Sequence, residues 1–133
     1  MRRLITLLLV AVFTLLIPLS SIAAKEYAPS SQAELTRNMD DFLEKDVSVE
    51  GTFLFTGSDF CYQIRKTKIN TRDYFCFALG PVNLIRFYLK KNHIQVPELM
   101  GLKKGSKIRA YGTFDAMGRD YKFLVVDHFE VVE

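Results

Sequence analysis

Residues 99–133 read LMGLKKGSKIRAYGTFDAMGRDYKFLVVDHFEVVE, and their pattern decides the fold. From Lys107 to Phe114, the residues Ile108, Ala110, Gly112 and Phe114 alternate with Lys107, Arg109, Tyr111 and Thr113, the period-two signature of a strand with one buried face. Asp115 to Asp120 follows as a loop carrying Gly118, and Tyr121 to Val132, rich in Phe and Val, returns as a second strand. The turn Lys103-Lys104-Gly105-Ser106 leads into this hairpin. Before it, Val96 to Leu102 predicts one or two helical turns begun by Pro97, whose fixed φ suits a first helical position. Asp127 and His128 are neighbours on the last strand. Alternation sends them to opposite faces, so they are expected to form no dyad.

Working outward toward the N-terminus, Leu84-Ile-Arg-Phe-Tyr-Leu-Lys-Lys has two readings. As a strand it turns Ile85, Phe87 and Leu89 inward and Arg86, Tyr88 and Lys90 outward. As a helix it gathers Leu84, Ile85, Tyr88 and Leu89 on one face. The strand separates charge more cleanly and is the expectation here. Gly80-Pro81 marks the turn before it.

The segment FCYQIRKTKINTRDYFCFAL, residues 60–79, suggests a hairpin about Lys68-Ile69. That register sets Phe60 opposite Phe77, Tyr62 opposite Phe75 and Cys61 opposite Cys76. Cβ atoms of directly opposed residues lie roughly 4.5–5.5 Å apart, within small adjustment of disulfide geometry. An oxidising compartment would allow the bond, which would contribute roughly 3 kcal/mol in the chain-entropy picture. The alternative is a pair of reduced cysteines packed as small apolar groups. Catalytic dithiols usually sit as Cys-x-x-Cys, a spacing these two do not have.

Val47, Val49, Gly51, Phe53 and Phe55 alternate with polar neighbours and predict a strand, interrupted at Thr56-Gly57-Ser58-Asp59 by a turn or bulge. Upstream, Ser31-Gln-Ala-Glu34 has the form of a capping box for a helix running from about Gln32 to Glu44. Leu35, Met39, Phe42 and Leu43 would line its buried stripe. Residues 25–30 read as a flexible lead. The first 24 residues combine Arg2 and Arg3, an apolar run from Leu4 to Ile17, and a small-residue exit, the form of a secretory signal peptide cut after Ala23 or Ala24. Fourteen apolar residues fall short of the roughly 20 that a spanning helix needs. The mature chain is therefore expected in a periplasm or outside the cell, with no membrane span. Its domains are expected as 1–24 signal, 25–30 lead, 31–46 helix and 47–133 barrel.

Removing Arg2 and Arg3 leaves 16 basic residues against 15 acidic ones, so a formal charge of +3 becomes +1. Global basicity is no argument for nucleic acid. The distribution is uneven all the same: residues 25–59 carry 3 bases and 8 acids, residues 60–109 carry 11 and 2. With only His93 and His128, a His-rich metal site is excluded, and no phosphate-cradling Gly-rich loop, Gly-x-Ser-x-Gly elbow or His-Glu-x-x-His helix occurs. No cofactor, metal or catalytic residue is expected.

Helix, three-strand meander, short helix and hairpin is the element order of a five-stranded Greek-key OB-fold barrel, here preceded by an amphipathic helix. The Leu-rich turn, the Lys-Lys-Gly-Ser lead, Tyr111-Gly112-Thr113 and the alternating last strand resemble the end of OB-fold domains. In particular the chain is similar to exported bacterial proteins of the anticodon-binding-like OB family. Such folds bind on the outer face of their second and third barrel strands, flanked by two loops. On this sequence the resemblance implies a ligand face of Gln63, Arg65, Arg72, Tyr74, Arg86, Tyr88 and Lys90, with Arg119 and Lys122 from the last loop. Arginine supplies planar donors to phosphate or carboxylate, and tyrosine a stacking face. The expected function is an exported, non-enzymatic binding module for an anionic ligand or an envelope protein partner. Single-stranded nucleic acid is an alternative that export disfavours, and a thiol-active enzyme is a third.

Overall fold

The computed structural model describes residues 25–57 and 70–132. The signal segment, the proposed turn at Lys68-Ile69, and Gln63, Arg65 and Cys61 lie outside the described residues. The elements run β1 (Ala28–Ser30), α1 (Gln32–Arg37), α2 (Met39–Phe42), β2 (Asp46–Gly57), a 3-10 turn (Thr71–Asp73), β3 (Tyr74–Gly80), β4 (Arg86–Lys90), α3 (Val96–Met100), β5 (Lys107–Met117) and β6 (Tyr121–Val131). β2 pairs antiparallel with both β3 and β5, β3 with β4, and β5 with β6, while β4 and β6 run parallel. Five strands thus close into a barrel in OB-fold order, as the sequence pattern implies. Within residues 84–90 the strand reading holds, with β4 spanning Arg86–Lys90. The lead is partly a strand too: Ala28–Ser30 adds parallel to Val47–Val49 as a sixth.

The barrel interior holds Val47, Val49, Phe53, Phe77, Leu79, Phe87, Leu89, Ile108, Ala110, Phe114, Leu124 and Phe129, all buried. Burying a residue of this size stabilises by roughly 1.5–3 kcal/mol relative to leaving it exposed. Leu35 plugs the core from α1, and Leu99 does so from α3. Phe55 departs from its expected inward position and is 46% exposed. The register of β2 against β3 shifts between Phe53 and Phe55, so a bulge turns its side chain out. Beside that bulge, Phe53 N–H donates to Ser106 O and Gly105 N–H to Phe53 O, at 2.7 and 2.8 Å.

The expected continuous helix to Glu44 is two short ones. Ser31 caps α1 as anticipated, its Oγ accepting from Glu34 N–H at 3.1 Å, but the Glu34 carboxylate takes the Ser30 hydroxyl rather than the cap's own N–H. The chain leaves helical geometry at Asn38 (φ −115°, ψ 41°), and Glu44 adopts φ 61° before the backbone of Glu44 and Lys45 pairs with Phe114. Pairing with β5 thus competes with the helix and ends it.

Gln32 ties α1 to the barrel. Its buried amide donates to Leu79 O at 3.0 Å and accepts from Leu84 N–H and Ile85 N–H at 2.9 and 3.0 Å, bridging the β3–β4 turn. An equivalent tie lies before α3, where Gln95 donates to Phe129 O and accepts from Phe129 N–H, extending the β6 ladder where β4 has ended.

Candidate functional site

Alternation along β3 and β4 gives the barrel an outer face as well as its core. Tyr74, Cys76, Tyr88 and Phe123 occupy it, with Met117, Tyr121 and Val125 packed against them. Tyr88 meets Phe123 and Tyr74 edge-on, with ring centroids 5.7 and 6.3 Å apart, and its hydroxyl hydrogen-bonds to that of Tyr121. Here the structure corrects the sequence expectation: Tyr74 and Tyr88 do lie on the outer side, but both are buried and offer no open stacking face. Seven apolar or aromatic side chains on adjacent strands gain more from packing together than from hydration. Burial pushes both phenols above their ordinary pKa, helped at Tyr88 by the Tyr121 hydroxyl and at Tyr74 by the Asp73 charge.

The register of Cys76 also differs from the hairpin expectation. Cys76 lies opposite Gly57 and Phe77 opposite Thr56, four positions from the predicted partners Cys61 and Phe60. Cys76 is fully buried.

The predicted basic residues divide between two places. Arg72, in the 3-10 turn, and Lys90, opposite Tyr74 at the end of β4, are both exposed. Lys90, Lys91, Asp73 and Asn92 line a hollow of about 260 Å³, and Lys91 Nζ lies 5.4 Å from the Phe75 ring centre. Arg86, half-buried, pairs with Phe123 at the other end of β4, roughly 13 Å away along the strand. Lys122 adjoins that end. It donates to Arg119 O at 2.6 Å across the Gly118 turn. Arg119 and Lys122 line a cleft of about 350 Å³ with Thr36, Arg37, Asn38, Met39, Asp40 and Asp41. The sequence reading missed Arg37 and Lys91. Lys91 directly follows a predicted site lysine, whereas Arg37 enters only through the break at Asn38, which a helical stripe conceals.

Two groups of charges elsewhere are mutually satisfied. Lys25 bridges Asp46 and Asp127 at 3.2 and 2.9 Å, and Arg109 bridges Glu50 and Glu130, with Lys107 4.0 Å from Glu50. The hydrogen bond to Asp127 raises the Lys25 pKa, and the one from Arg109 lowers that of Glu50. Asp127 and His128 depart from their expected opposite faces. The β5–β6 register passes from Tyr111↔His128 to Gly112↔Val126, so Asp127 is an extra residue. Both reach Tyr27: Asp127 accepts its hydroxyl, while His128 meets its ring edge-on at 5.7 Å and stacks on Tyr111 at 4.5 Å. This cluster fastens β1 to the barrel. Among the described residues no group of three or more His, Cys, Asp or Glu is arranged to hold a metal ion. No described helix is long and apolar enough to cross a membrane.

The barrel order and the helix between β4 and β5 define an OB-fold. Solved structures with the same architecture include an aspartyl-tRNA synthetase from Leishmania major (TM-score 0.57, 12% identity, 86% of this chain and 22% of that one). Others are an OBody bound to hen egg-white lysozyme (0.57, 11%, 83% and 98%) and asparaginyl-tRNA synthetase from Pyrococcus horikoshii (0.53, 14%, 84% and 23%). The chain thus spans less than a quarter of either synthetase, and at these identities the likeness is one of fold. No family model and no curated protein sequence matches it.

Proposed function

We propose that this protein is an exported, non-enzymatic OB-fold binding module that engages an anionic ligand or an acidic envelope protein partner through its basic rim. The observation that supports this reading is a contrast in pairing. Lys25, Lys107 and Arg109 are neutralised by carboxylates, whereas exposed Arg72, Lys90 and Arg119 form no ion pair within 4.0 Å among the described residues. Unpaired bases around a closed aromatic face suit electrostatic docking, and the closed face argues against base stacking as the source of affinity.

The test is capture from an envelope fraction at low salt with the full chain and with the combined Arg72→Ala, Lys90→Ala, Arg119→Ala variant. The variant is expected to lose the salt-sensitive partner; full capture by a folded variant would overturn the site. A single-stranded oligonucleotide bound with log affinity linear in log salt would instead favour the nucleic-acid reading. Export predicts a mature N-terminus at Ala24 or Lys25 in fractionated cells, and a chain still beginning at Met1 contradicts it. The same compartment supports a Cys61–Cys76 disulfide, so alkylation without reductant should leave both sulfurs unmodified. Two alkylated thiols would count against the bond and reopen thiol chemistry.

A further inference from the structure

A continuous helix through residues 32–44 would stack Arg37 and Asp41, four positions apart, on one face, where opposite charges neutralise each other. The break at Asn38 interrupts the helix between them. Among the described residues neither Arg37 nor Asp40 nor Asp41 forms an ion pair, yet all three line the same cleft of about 350 Å³. Arg119 and Lys122 join them from the β5–β6 turn, also without a carboxylate partner, and the bond from Lys122 Nζ to Arg119 O fixes the ammonium at that turn.

Both walls are anchored. Gln32 and Leu35 hold α1 in the barrel, and Met117 and Tyr121, flanking the turn, pack on the outer aromatic cluster. The anchored walls fix where the backbone presents these charges, so a ligand has to order side chains but not the segments that carry them. The volume lies at the lower end of the roughly 300–1,000 Å³ typical of small-molecule sites. A long polyanion would meet Asp40 and Asp41, while a simple anion would leave them unused.

We propose that this cleft binds a small zwitterion, its phosphate or carboxylate on Arg37, Arg119 and Lys122 and its ammonium on Asp40 and Asp41. The proposal rests on the reading of the chain as a binding module and names a ligand class for the Arg119 end of its rim. Phospho-amine chemistry of this kind occurs both in free metabolites and in lipid headgroups.

The test is titration of the full chain with O-phosphoethanolamine, inorganic phosphate and ethanolamine, followed by amide chemical shifts, with sedimentation on phosphatidylethanolamine vesicles as a further arm. The zwitterion should bind best of the three soluble probes. Arg37→Ala with Arg119→Ala should weaken it about tenfold or more, since each removes a charge-assisted hydrogen bond. Asp40→Asn with Asp41→Asn should weaken the zwitterion but strengthen inorganic phosphate, an inversion that general destabilisation cannot produce. Vesicle binding lost in the arginine variant would identify the lipid source; soluble binding alone would identify a free metabolite. Equal response to phosphate and phosphoethanolamine, or no shift at Arg37 and Arg119 with any probe, would overturn the proposal. Zwitterion binding that survives Arg72→Ala with Lys90→Ala, alongside failed partner capture, would reject the wider rim and leave the cleft intact.

Discussion

The Tyr27 hydroxyl donates to Asp127 Oδ2 at 2.6 Å, joining the strand that precedes α1 to the bulged residue of the last strand. Burial, reinforced by this bond to a carboxylate, raises the Tyr27 pKa from 10.0 to about 12. The folded state therefore holds its proton where the unfolded chain has lost it. The resulting stabilisation is complete below pH 10 and disappears as pH rises through about 12. Phenolate absorbance should show a component titrating near pH 12 that is missing in Tyr27→Phe. An unchanged titration curve in that variant would mean that Tyr27 is not held as described.

Gln32 satisfies three backbone groups of the β3–β4 connection with one side chain. In Gln32→Ala the N–H groups of Leu84 and Ile85 and the carbonyl of Leu79 lose that partner. Since an unpaired buried group costs roughly 1–3 kcal/mol, the variant should lose about 3 kcal/mol, measured as a lower denaturant midpoint. Gln32→Glu keeps the acceptor but removes the donor and buries a charge, so it should not restore the parent's stability. A loss below about 0.5 kcal/mol in Gln32→Ala would show that water replaces the amide.

The barrel is legible in the sequence because strand alternation is a local property: the faces of β5 and of Ile85–Lys90 follow from period two alone. What the pattern does not supply is the interruptions. Phe55 turns outward and Asp127 slips onto the same side as His128 because of bulges, each of which moves one residue out of phase while leaving composition unchanged. The outer aromatic cluster is hidden for a related reason. Alternation distinguishes two faces but does not say that the second is also covered, so pattern alone offers Tyr74 and Tyr88 as ligand contacts. Arg37 is obscured by the opposite error, a helical period extended through the break at Asn38.

His93 links α3 to the same bulge. Its Nδ1 accepts from Gln95 N–H at 3.0 Å, which leaves Nε2 to carry the hydrogen and donate to Asp127 O at 2.7 Å. The Nε2–H tautomer should therefore dominate over Nδ1–H in the ring's nitrogen NMR signals. His93→Ala removes both bonds, one of them to the Asp127 carbonyl beside the bulge, and should cost about 1–2 kcal/mol. A mixture of tautomers resembling free histidine would contradict the assigned geometry.

Gly112 sits where β5 passes from Tyr111↔His128 to Gly112↔Val126, and a methyl group there has nowhere to go. A Cβ at this position would fall inside contact distance of the Val125 carbonyl oxygen and 2.9 Å from Val126 Cα, both backbone atoms of the paired strand. Neither can move without opening the β5–β6 ladder on which Asp127, His128 and hence β1 depend. Gly112→Ala should therefore destabilise by about 3 kcal/mol or more, the upper part of the range for overpacked sites. Gly118 gives the control: its φ is +66°, but no atom lies within 4 Å of where a Cβ would stand, so its requirement is conformational rather than steric. Gly118→Asn, which tolerates that backbone, should stay within about 1 kcal/mol of the parent. Comparable denaturant midpoints for Gly112→Ala and the parent would show that the strands separate cheaply, and the bulge would then not be what holds Asp127 against Tyr27.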